Sequence, residues 1–208
     1  MIKSYKQFNE SLKDKLVGPT DEEVLDSLKH LNPEELLIKS SKIGFLKGVE
    51  VALERGVNIN ITNDNPLSWA SFNGHIEIVK LLLDKGADIH ICNDGSLINA
   101  SKKGHTDIVK LLLDNGADIH TNNDKSLLLA SHDNHIETVK LLLDHGADIH
   151  VEYDYPILRA SEQGYTNLVQ VLLDYGVDVH LNNNEPLLLA SRRGHKETVE
   201  LIKKYMNK

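Results

Sequence analysis

The chain has 208 residues, 40% of them hydrophobic, with a net charge of −8 from 23 basic and 31 acidic side chains. That apolar content supports a packed core over disorder, and the acidic balance argues against a nucleic-acid partner, whose phosphates need clustered Lys and Arg. Cys92 is the single cysteine, so no intrachain disulfide can form, and no apolar run approaches the roughly 20 residues of a membrane span.

In chain order, Ile2, Tyr5, Phe8, Leu12 and Leu16 mark an amphipathic helix, without the apolar core of a secretory signal. Val17-Gly18-Pro19 breaks it. Thr20-Asp21-Glu22-Glu23 carries a capping-box signature, and Val24, Leu25, Leu28 and Leu31 predict a second helix. Residues 1–32 are expected to cap the rest of the chain. The alternative is that Met1 to Val17 docks on a partner or a second copy.

From Asn32-Pro33 onward the chain repeats every 30 residues. Gly74 to His90 reads GHIEIVKLLLDKGADIH, and variants of the phrase return at Gly104, Asn134 and Gly164, with weaker ones at Gly44 and Gly194. The units are 33–62 (degenerate), 63–92, 93–122, 123–152, 153–182 and 183–208, the last a C-terminal cap with Lys203 and Lys204 on its outer side. Self-similarity at such a period marks stacked supersecondary units that shield one another's apolar faces.

Within 63–92, Asn63-Asp64-Asn65 is turn chemistry and Pro66 suits a helix start. The helix runs to Asn73 and Gly74 supplies the left-handed C-terminal residue. A second helix comes next, with Ile76, Val79, Leu82 and Leu83 on one stripe, and Gly86 stops it. Ala-Ser recurs at Ala70, Ala100, Ala130, Ala160 and Ala190, where small side chains let first helices approach.

Pro66-Leu67, Ala70, Gly74-His75, Ile78-Val79, Leu81-Leu82-Leu83 and Gly86-Ala87-Asp88 together resemble the ankyrin repeat. The resemblance implies an all-α ankyrin-repeat solenoid of stacked helix-turn-helix units with an N-terminal helical cap, acting as a non-catalytic protein-binding module. The period here is 30 rather than the usual ~33, so shortened finger loops or plain turns are expected. The family's Thr and His around Pro-Leu are replaced, and apolar packing is expected in their place. The short period and the Gly-Ala-Asp-Ile-His ending are similar to ankyrin proteins of large DNA viruses, implying a host cytoplasm.

Eleven histidines invite a metal reading, but His90, His120, His150 and His180 stand one per unit. Stacked helices lie ~8–10 Å apart, too far for two ligands of one zinc, so a turn hydrogen bond is expected for these positions instead. His75, His105, His135 and His195 come just after the interhelix turn and are read as packing. The recurrent serines lack a base and an orienting third group, and no phosphate loop appears. No enzyme activity, metal or cofactor is expected.

Binding is expected where the units disagree. In ankyrin proteins the residues before the interhelix turn line a concave groove, which here implies Phe72, Lys102, Lys103, His132, Asp133, Glu162, Arg192 and Arg193. One turn earlier stand Trp69, Asn99 and Arg159, and the short turns add Lys125 and Tyr155. The mixed charge suits a protein partner of unknown identity, with no nucleic acid and no membrane. An adaptor, whose N-terminal helices recruit effector machinery to a substrate held by the repeats, is the alternative. The oligomeric state stays open, a monomer being the simpler expectation.

Overall fold

A computed structural model describes residues 20–207; the expected helix over Met1 to Val17 lies outside the described residues. Thirteen α-helices and no strand occur among the described residues. The chain divides into two compact units, Met1–Ala87 and Asp88–Lys208.

The first unit contains α1 (Asp21–Leu28), α2 (Pro33–Ile43), α3 (Leu46–Glu54), α4 (Pro66–Asn73) and α5 (Ile76–Asp84). The Thr20 hydroxyl accepts from the Glu23 N–H at 3.3 Å while the Glu23 carboxylate accepts from the Thr20 N–H at 2.8 Å, so α1 starts with the expected box. Asn32 and Glu35 repeat the device at α2, at 2.9 and 3.1 Å. Val24 and Leu28 of α1 are buried. Helix α2 packs on α3 and α4, and α5 packs on α3 and α4. First helices therefore meet first helices and second meet second.

The second unit repeats that scheme with α6 (Ile91–Lys103), α7 (Thr106–Asp114), α8 (Thr121–His132), α9 (Ile136–Asp144), α10 (Val151–Gln163), α11 (Thr166–Asp174), α12 (Leu181–Arg193) and α13 (Lys196–Met206). First helices α6, α8, α10 and α12 pack in series, as do second helices α7, α9, α11 and α13. Leu97, Leu127 and Ile157 fill the layer between first helices, with Val109, Leu112, Val139, Leu142, Val169 and Leu172 across from them, all essentially inaccessible. Ala100, Ala130, Ala160 and Ala190 are each 0% exposed, consistent with the close approach that their size permits. Lys203 and Lys204 are exposed on α13.

The Gly-His pair is a contact between neighbouring repeats. Gly104 has φ +69°, and a Cβ built on it would lie 2.4 Å from Nδ1 of His135, in the next repeat. Gly44 with His75 and Gly164 with His195 show the same geometry. The imidazole Nε2 donates to a carbonyl of the preceding repeat, Lys102 O at 3.0 Å from His135 and Glu162 O at 2.9 Å from His195. Asn134 (φ 61°) takes the glycine position once, and the residue 31 places later is Tyr165 instead of His. Glycine and histidine are thus lost as a pair.

The N-terminal ends of α6, α8, α10 and α12 differ from the plain turns expected. Each holds three consecutive residues in the left-handed region: Cys92-Asn93-Asp94, Asn122-Asn123-Asp124, Glu152-Tyr153-Asp154 and Asn182-Asn183-Asn184. Nine of these twelve are Asn or Asp, the side chains that tolerate this region best. The third residue locks the turn. Asp94, 5% exposed, accepts from His90 Nδ1 at 3.1 Å and from the Asp118 backbone N–H at 3.1 Å. Asp124 does the same with His120 and the Asp148 N–H, at 3.1 and 3.0 Å. A carboxylate only accepts, so each Nδ1 carries the proton. Asp118 and Asp148 in turn accept from the His120 and His150 N–H groups at 2.9 Å, the turn hydrogen bond expected for that histidine position. Asn184 stands in for Asp in the last repeat, 2.8 Å from His180 Nδ1. The lost Thr and His network is therefore replaced by an Asp-His network, not by apolar packing as the sequence suggested.

These contacts predict three outcomes. Gly104→Ala is expected to cost more, by denaturant unfolding, than Gly146→Ala, which bears only the left-handed penalty of about 1–2 kcal/mol because its added Cβ meets nothing. Tyr153→Asn, introducing the residue found in the other turns, is expected to stabilise by roughly 1 kcal/mol, the low end of the same penalty. The Tyr175 hydroxyl donates to Asp144 at 2.5 Å, and that bond pushes its pKa up to about 12. The protonated form is the one the fold favours, so the stability difference from Tyr175→Phe should hold below pH 10 and disappear as pH rises towards 12, which pH-resolved unfolding would measure.

Candidate functional site

The 30-residue step places the ends of the first helices in a row. In the second unit the row consists of Lys102 and Lys103 on α6, His132 with Asp133 at the end of α8, Glu162 on α10, and Arg192 and Arg193 on α12. His132 and Glu162 are half-buried and the other five are exposed. One turn back, Asn99 and Arg159 are half-buried, and the Nε of Arg159 is buried with no hydrogen-bond partner among the described residues. Lys125 and Tyr155 stand directly after the left-handed turns, so the buried Asp124 and the half-buried Asp154 beside them set where these side chains emerge.

These residues are not equally close to one another. The rings of His132 and Tyr155 are parallel within 3°, with centroids 6.3 Å apart. His132 Nδ1 donates to the Asp133 carboxylate at 2.7 Å. Together with Lys125, Leu128, Leu129 and Glu152 the pair lines an open depression of about 500 Å³. Glu152 is positioned by Asn123, whose side-chain amide donates to it at 3.4 Å. Further along the row, Arg193 forms an ion pair with Glu162, and its hydrogen bond holds the Glu162 carboxyl below the usual range.

Glu152, Leu128 and Leu129 were absent from the sequence-derived set. A signal for Glu152 existed: its register holds Cys92, Asn122 and Asn182 elsewhere. The two leucines read as core by type, and only their position beside Tyr155 gives them a wall to line.

Trp69 and Phe72 belong to the first unit. Trp69 is half-buried; its indole N–H donates to Asp64 at 3.2 Å, and Lys42 Nζ lies 4.2 Å from its ring centroid. Lys42 also pairs with Asp64 at 3.0 Å, and Phe72 meets the indole edge-on at 6.0 Å. The hydrogen bonds from Lys42 and then Trp69 lower the Asp64 pKa. Trp69 therefore braces the start of α4 and offers only part of its ring to solvent.

Among the described residues no group of three or more His, Cys, Asp or Glu converges as metal ligands would. No described helix is long and apolar enough to cross a membrane. One aromatic pair, two leucines, a lysine and a carboxylate surround the shallow hollow.

The family model described as Ankyrin repeats (3 copies) matches residues 2–93, 91–153 and 127–208. No curated protein matches the chain. Among solved structures, the crystal structure of the human ASB11 ankyrin repeat domain is similar, with a TM-score of 0.71 and 26% identity over 81% of this chain and 82% of that one. Paired helices, left-handed glycine caps, recurring Ala and Leu layers and a family match spanning nearly every residue all agree: the chain belongs to the ankyrin-repeat family.

Proposed function

We propose that this protein binds an intracellular protein partner through the row of first-helix ends and the adjoining turns, and so occupies or sequesters that partner without chemistry. Ankyrin repeats are in general protein-protein interaction modules on a typically non-catalytic scaffold. The observation that carries the reading is the contrast between frame and surface. Ala100, Ala130 and Ala160 are invariant in type and 0% exposed, while Lys102, His132, Glu162 and Arg192 share one register and differ in charge and shape. A fixed spacing of unlike side chains suits recognition of another protein's own charge pattern. The single exposed thiol, Cys92, suits a reducing compartment.

Affinity capture from the native cell, followed by calorimetry on the captured protein, tests the reading. Lys102→Glu together with Arg192→Glu is expected to weaken binding by about tenfold or more, the scale of rim and hot-spot losses. The unfolding midpoint should barely move, because exposed substitutions of this kind usually change stability by less than about 0.5 kcal/mol. Unchanged affinity would reject this surface.

A further inference from the structure

We infer that the depression lined by Lys125, Leu128, Leu129, His132, Glu152 and Tyr155 docks an extended, acidic stretch of a partner protein, with one aromatic or aliphatic side chain of that stretch entering the hollow. The inference rests on the protein-binding reading and adds the chemistry of the partner.

Charge is the first argument. The chain carries −8 overall, yet this surface of the second unit presents six cations, Lys102, Lys103, Lys125, Arg159, Arg192 and Arg193, against four carboxylates. All four carboxylates already accept a side-chain hydrogen bond: Asp133 from His132 at 2.7 Å, Glu152 from Asn123 at 3.4 Å, Glu185 from Asn182 at 3.1 Å, and Glu162 from Arg193. Lys102, Lys125 and Arg192 form no ion pair among the described residues. The surface is thus poised for carboxylates on a partner. Carboxylates interspersed along the same row would repel a continuous phosphate backbone, which favours a peptide over a nucleic acid.

The lining is the second argument. Two leucines and a parallel imidazole-phenol pair give a hollow of about 500 Å³ apolar walls beside Lys125 and Glu152, room for a side chain but open on one side. Such hollows with an aromatic wall are where interface energy concentrates.

The third argument is Tyr153. It is 89% exposed, has φ 58°, and lies in the same turn as Glu152, two residues before Tyr155. The equivalent turns use Asn93, Asn123 and Asn183. A bulky aromatic in that backbone region is strained and buries little within the chain, and strain of this kind collects at binding elements. A partner's surface supplies the burial that the fold does not.

The test selects random linear peptides displayed on phage against the full chain, and measures the selected peptides by fluorescence anisotropy. Enriched peptides are expected to place Asp or Glu around one aromatic or aliphatic residue. Their affinity should fall by about tenfold or more in Lys125→Glu and in Tyr153→Asn, and persist in Lys125→Arg and in Lys140→Glu, a charge change on α9. Tyr153→Asn is a clean variant because its unfolding midpoint should rise as binding falls, so lost affinity cannot be lost fold. Selection of neutral or basic peptides, or acidic peptides indifferent to both Lys125→Glu and Tyr153→Asn, would overturn the inference. Single-stranded oligonucleotides that displace the peptides at physiological salt would also overturn it. If the selected peptides still respond to Lys102→Glu, the broader protein-binding reading survives that failure; if they respond to none of these changes, both fall.

Discussion

The buried carboxylate that ends a left-handed turn, Asp94 in one repeat and Asp124 in the next, is the constraint on which the second unit's surface depends. A carboxylate taken out of water is costly unless donors replace the lost solvent. Here one oxygen receives both an imidazole N–H from the preceding repeat and a backbone N–H from its own. The same group therefore closes a turn, orients a histidine and ties neighbouring repeats together. Three left-handed residues in a row would not persist on their own preference, since each L residue is disfavoured there. The tie across the repeat over-determines them.

That arrangement explains how a short period still presents a fixed row of unlike side chains. Repeats of the usual length have room for a protruding finger; 30-residue repeats do not. One left-handed turn of three residues places Lys125 and Tyr155 where the regular helical part of α8 and α10 begins. Because the turn is anchored by a buried group, its flanking side chains are fixed in direction, and a preorganised surface loses less entropy when a partner arrives. Histidine, so often a metal ligand elsewhere, serves here as donor: at Nδ1 in the turn and at Nε2 above the glycine of the preceding repeat.

The two groups of variable side chains differ in how much they owe to the fold. Trp69 is tied to Asp64 and Lys42, so its removal would disturb the start of α4 as well as any surface it offers. Lys102 and Arg192 are exposed and contribute little to the frame. Between these extremes stand His132 and Tyr155, half-buried and stacked on one another, which is the usual condition of residues that anchor an interface.

The helix pairs, their glycine and Asn-Pro boundaries, the capping box at Thr20 and the Ala and Leu layers were all legible in the sequence. Each rests on local chemistry or on a period: Gly where φ is positive, Ala where helices touch, Leu every third or fourth residue. The row of variable positions was legible for the same reason, since a constant step of 30 residues puts equivalent positions side by side. The left-handed turns were not, because runs such as Asn122-Asn123-Asp124 suit several turn types, and only the buried acceptor that bonds the preceding repeat's imidazole and a distant backbone N–H of its own repeat selects one. Nor could the sequence show that Tyr155, His132 and Glu152 share one hollow while Trp69 is braced from within. Those outcomes depend on the direction in which side chains leave neighbouring helices, and direction is decided by packing, which no single repeat contains.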